Sequence, residues 1–134
     1  MRLNVFIGVI IGISLISCAQ QRNEDYILGK WVVYKTTDQT GDSLTPFGTI
    51  RPNRPDTLEF LPKGKINIYY IPIPGEPPQK SFYSFKDDST LLIGKRMYIF
   101  RKVDHERMIL DDYDPTLPQI KSILSREYWR RIKQ

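Results

Sequence analysis

Few side chains in this 134-residue chain are of the types that do covalent or metal chemistry, and their spacing suits neither. His105 is the sole histidine and Cys18 the sole cysteine. A nucleophilic relay needs a histidine held against its nucleophile, whereas His105 falls in the turn-forming run Asp104-His105-Glu106, where a solvated side chain is the ordinary explanation. One histidine without a second cysteine or histidine cannot complete a zinc set. Asp111, Asp112 and Asp114 form an acidic cluster, but the glycine and closing glutamate of a calcium loop are missing. Asp87-Asp88 is turn chemistry. The expectation is no enzyme, no bound metal and no cofactor.

Cys18 is informative through its position. Arg2 supplies a positive start, Val5 to Ile16 an apolar run of secretory length, and Ser17 a small residue at the cut. A spanning helix needs about 20 apolar residues, and Gln20, Gln21 and Arg22 interrupt this run too early. Leu15-Ile16-Ser17-Cys18 resembles the cleavage and lipidation box of bacterial lipoproteins. The resemblance implies that residues 1–17 are a signal peptide, that the Cys18 thiol carries lipid, and that the protein is held on a membrane of the cell envelope. Ala19 lacks an aspartate-type retention signal, which points to the outer membrane. With Cys18 lipidated, no thiol remains for a disulfide, although that compartment permits one.

Removing 17 of 134 residues leaves 117, enough for one core and too few for two. Only Arg2 among the charged residues leaves with the signal, so the mature chain carries 19 basic against 15 acidic residues, a formal charge of +4. A balance that small, spread along the chain, is a solubility feature and no nucleic-acid footprint. The local basic cluster Arg126, Arg130, Arg131 and Lys133 suits anionic lipid or a structural role.

Residues 18–26 read as the lipidated cysteine and a polar tether without periodicity, and 27–134 as the folded domain. Tyr26 to Thr37 has the β-branched and aromatic content of a strand. Asp38 to Pro55 dissolves into Thr, Gly, Asp, Ser, Pro and Asn, a loop long enough to suspect function. Strands then follow at short spacing: Asp56 to Leu61, Lys65 to Ile71, Lys80 to Lys86, Thr90 to Ile93, Arg96 to Val103 and Glu106 to Asp111. Between the second and third of these, Pro72, Pro74, Pro77 and Pro78 remove four donors and forbid a ladder. Ile120, Ile123, Leu124, Tyr128 and Ile132 fit a helical stripe, but Tyr128-Trp129-Arg130-Arg131-Ile132 is rich in strand formers. We read Pro115 to Leu124 as a connection with one helical turn and Ser125 to Ile132 as the eighth strand. Eight antiparallel strands with short turns can close and abolish their edges. The predicted fold class is all-β, a single eight-stranded up-and-down barrel.

Leu28-Gly29-Lys30-Trp31, Leu58-Glu59-Phe60 running into Gly64, Tyr98-Ile99-Phe100, Met108-Ile109-Leu110 and Tyr128-Trp129-Arg130-Arg131-Ile132 together resemble the lipocalin-like lipoproteins common in Bacteroidota. The resemblance covers essentially the whole mature chain and implies that Trp31 lies at the closed end of the barrel beneath Arg130 or Arg131, a cation over an aromatic face. The second motif and the disulfide of true lipocalins are absent, and the strands are shorter.

Alternation places Trp31, Val33, Leu58, Phe60, Ile66, Ile68, Tyr70, Tyr83, Phe85, Leu91, Ile93, Tyr98, Phe100, Met108 and Leu110 inside. Nearly all are large, and eight strands leave room for side chains or for one small ligand. Tyr70, Tyr83 and Tyr98 would each need a hydroxyl partner, which a ligand head can supply. Phe47 and Ile50 in the long loop are apolar enough either to cap the core at its rim or to cover the mouth as a lid, with Arg51 and Arg54 beside them to meet an acidic head. Two functions follow: a binder of a small apolar or amphipathic molecule, which the resemblance favours, or a filled barrel that displays its surface to another envelope protein, which the bulky interior favours.

Overall fold

The computed structural model describes residues 21–38, 55–70, 75–117 and 123–133. Eight strands alternate buried and exposed side chains: β1 (Gly29–Thr37), β2 (Thr57–Leu61), β3 (Lys65–Tyr69), β4 (Gln79–Phe85), β5 (Thr90–Ile93), β6 (Arg96–Lys102), β7 (Arg107–Tyr113) and β8 (Ile123–Arg131). Each pairs antiparallel with its neighbour in sequence, and β8 pairs with β1, so the sheet is a closed barrel. The last strand settles the competition between helix and strand. Ser125, Glu127 and Trp129 are buried while Arg126, Tyr128 and Arg130 are not, a period of two that only a strand produces.

Strand β1 starts at one end of the barrel, called here the closed end, and runs to the open end. The β2–β3 turn, the 310 turn Pro62–Gly64, lies at the closed end with the β4–β5 and β6–β7 turns. The segment between Asp38 and Pro55, the β3–β4 connection and the β7–β8 connection all leave from the open end. A bulge in β1 sets what faces in. Val33 pairs with Trp129 but Lys35 pairs with Tyr128, so Tyr34 is an extra residue. An inserted residue reverses the facing of everything after it. Thr36, opposite Glu127, therefore points inward where simple alternation assigns Lys35.

Thirteen of the fifteen residues assigned inside are buried core. Val33 is half-buried and packs on that core. Tyr70 departs from the expectation: it follows the end of β3 and is 39% exposed, because the ladder that would turn it inward has stopped. Ile27 and Trp129, not among the fifteen, are fully buried. Edge-to-face pairs, Phe60 on Tyr83 at 4.9 Å and Phe85 on Phe100 at 5.1 Å, knit the core, each worth about 0.5–1.5 kcal/mol beyond area.

From Gln21 onward the polar run read as a tether is folded. Residues 21–27 are helical, here α1, and cross the closed end. Asn23 and Ile27, one turn apart, are its buried positions, and with Tyr26 they share a face. Asn23 Nδ2 donates to the Asp88 carbonyl at 2.9 Å. The Tyr26 hydroxyl lies 2.7 Å from the Asp104 carbonyl and 2.8 Å from that of Arg107. Gly29 joins α1 to β1 with φ near +115°, and a Cβ there would meet Arg131 Nη1 at 3.1 Å. Only glycine suits both requirements, which explains the Gly-x-Trp spacing.

Candidate functional site

The two ends of the barrel interior differ in chemistry. At the closed end, Trp31 Nε1 donates to the Ile27 carbonyl at 2.8 Å, and the Arg131 guanidinium lies 4.3 Å from the Trp31 ring centre. Arg131 also donates to the Leu28, Tyr26 and His105 carbonyls. Its preference over Arg130 follows from the pleat: Arg131 shares the face of Trp129 and Glu127, while Arg130 is exposed on the outer face. This end is a sealed floor.

Towards the open end the inward positions become polar. Thr36, Asp112, Ser125 and Glu127 are all at least 98% buried, and register puts them side by side: Thr36 opposite Glu127, Asp112 opposite Ser125, and Tyr98 opposite Asp112. Directly opposed residues share a face, so these side chains form a belt inside the wall. Trp129 Nε1 donates to Glu127 Oε2 at 3.1 Å. Arg96 Nη2 lies 3.0 Å from Asp112 Oδ2 at the rim. Burial opposes the charge on Arg96, but Tyr98, Asp112 and Glu127 outweigh it and hold its pKa above the ordinary value. Thr36 Oγ1, fully buried, has no hydrogen-bond partner among the described residues. Buried carboxylates and hydroxyls are costly unless hydrogen-bonded, and nearer the floor the inward positions are apolar. Ile68 and Ile93, 7% and 8% exposed, lie toward the open-end termini of β3 and β5.

The sequence-predicted site residues scatter against this picture. Cys18, Phe47, Ile50 and Arg51 lie outside the described residues. Tyr70 stands at the open end, partly exposed. Tyr83 is buried, but its hydroxyl donates to the Leu61 carbonyl at 3.0 Å, toward the floor. Tyr98 faces the belt. Thr36, Arg96, Ser125 and Glu127 were not anticipated. The one available signal is Glu127, a charge in phase with Trp129 on a strand whose alternate residues face in. The acidic cluster is split by the pleat: Asp112 faces in, and Asp111 faces out, where Arg126 grips it with two hydrogen bonds of 2.7 and 3.1 Å. Among the described residues no group of three His, Cys, Asp or Glu is arranged to hold a metal.

Two grooves flank α1 at the closed end. One, about 450 Å³, runs between Glu24, Leu28, Lys63 and Tyr83; the other, about 380 Å³, between Arg22, Asn23, Asp88 and Lys102. Most of their polar lining is solvated. The belt differs in that its polar side chains are buried.

The floor carries a pH signature. Burial pushes the Tyr26 phenol up to about 12, with Asp104 adding to the rise and Arg131 opposing it. An acid whose folded pKa lies above its unfolded value of 10.0 holds its proton longer in the native state. Its contribution to stability is therefore complete below the unfolded value and is lost as pH climbs from there toward about 12. Melting temperatures across that window should fall for the wild type and fall less steeply for Tyr26→Phe; parallel curves would show that Tyr26 is not the group responsible. No family model and no curated protein matches the chain.

Proposed function

We propose that this is a lipid-anchored protein of the bacterial cell envelope, held on the outer membrane through Cys18, and that its barrel is a non-enzymatic binder of one small amphipathic molecule at the open end. The polar belt carries this reading. Asp112, Glu127 and Thr36 offer acceptors, and Arg96, Ser125 and Thr36 offer donors, to a polar head, while Ile68 and Ile93 supply apolar wall for the remainder. The segment holding Phe47, Ile50 and Arg51 departs and returns at this same end, which suits the role of lid. A second reading, an interaction module for another envelope protein, is favoured by Phe82, 70% exposed on the outer face of β4.

Displacement of an apolar fluorescent dye by a panel of fatty acids, amines and glycolipid heads separates the two. The soluble domain should bind saturably, and Glu127→Gln, which keeps shape and can still accept from Trp129, should weaken binding about tenfold or more, the scale of a charge-assisted hydrogen bond. Phe47→Ala and Arg51→Ala should weaken it as well. Absence of saturable binding across the panel would remove the ligand and leave the interaction module.

A further inference from the structure

Helix α1 fixes how an anchored barrel must stand. We propose that the barrel sits closed end down on its membrane with the mouth turned away from it, an orientation that rests on the lipid-anchor reading of Cys18. Only Ala19 and Gln20 separate Cys18 from Gln21, the first described helical residue. Three Cα steps of 3.80 Å reach at most about 11 Å. The lipid is therefore tied close to α1.

α1 in turn cannot swing away from the barrel without breaking its docking. Asn23 bonds the β4–β5 turn, Tyr26 bonds the β6–β7 turn, and Ile27 is fully buried beneath Trp31. Arg131, at the far end of the chain, holds the carbonyls of Tyr26 and Leu28. Because α1 touches two closed-end turns and borders the third through the groove at Lys63, the anchor point lies under the floor and not along the wall. A nine-residue strand such as β1, tilted as strands in small barrels are, lifts the mouth about 20–25 Å above that floor. Acyl chains of the anchoring leaflet cannot span that distance. The ligand therefore enters from the aqueous side or from a partner, and is not drawn from the membrane that holds the protein.

The floor carries charges of both signs: Lys63, Lys86, Arg130 and Lys133 stand there with Asp87, Asp88 and Glu106, all exposed. The short tether, and not a charge pattern, sets the orientation.

The test uses the mature lipidated protein in phospholipid vesicles, where an introduced cysteine is the only free thiol. Environment-sensitive labels are placed at the closed end, Lys86→Cys and His105→Cys, and at the open end, Glu76→Cys and Lys95→Cys, and are quenched by nitroxide carried on the lipid headgroup. Labels at the two closed-end positions should be quenched several-fold more than those at the open end. Uniform or inverted quenching in protein that floats with the vesicles overturns the orientation alone. Protein that does not float overturns the lipid anchor, and the orientation with it.

Discussion

Trp31→Ala should destabilise the domain by about 3–5 kcal/mol, the range for deleting a buried tryptophan side chain, out of the roughly 5–15 kcal/mol that holds a small domain folded. The side chain is fully buried, and its loss removes three things together. The floor loses its largest apolar filler, Arg131 loses the ring beneath its guanidinium, and the Ile27 carbonyl loses the indole donor. The last two couple the floor to α1, so α1 should loosen along with the barrel. Urea unfolding measures this as a lower midpoint with an unchanged slope. A midpoint indistinguishable from wild type would show that the floor does not depend on Trp31.

Cys18→Ser should block lipidation and leave an uncut or soluble protein in place of the cleaved, membrane-anchored one. A serine hydroxyl cannot take the place of the thiol in lipidation, so the acyl chains that hold the mature protein on its membrane are lost. Stable anchoring needs more than one chain at about 0.8 kcal/mol per buried methylene, so partial lipidation would also be visible as partial release. Fractionation and intact mass of wild type and variant measure the effect. A Cys18→Ser protein recovered in membranes at the cleaved mass would contradict the anchor.

The strands were legible because their alternation is strong and their turns are punctuated by Gly64, Gly94 and the run from Pro72 to Pro78. The closed-end place of Trp31 came from the resemblance carried by Leu28-Gly29-Lys30-Trp31, and the positive φ of Gly29 and its close approach to Arg131 give the physical reason for the glycine in that run. Choosing Arg131 over Arg130 required the phase of β8, and that phase is carried by Trp129, which the interior assignment omitted. Three features lay below what alternation reports. α1 hides its buried face in Asn23 and Ile27, a single apolar residue per turn, too little for a hydrophobic period to register. The bulge at Tyr34 shifts the frame, so Thr36 cannot be assigned inward without knowing that Lys35 pairs with Tyr128. Asp112 and Glu127 break the rule that places charge outside, and such breaks are expected where a protein does something other than fold.

The two tryptophans of the chain make the central claim directly measurable, because one indole N–H reports the floor and the other the belt. Trp31 Nε1 is bonded to Ile27 at the floor, and Trp129 Nε1 to Glu127 in the belt. In a ¹⁵N-labelled domain titrated with the amphiphile that displaces the dye, the Trp129 signal should shift saturably while that of Trp31 stays in place. Both signals unmoved across the panel, or Trp31 moving alone, would contradict a ligand at the mouth.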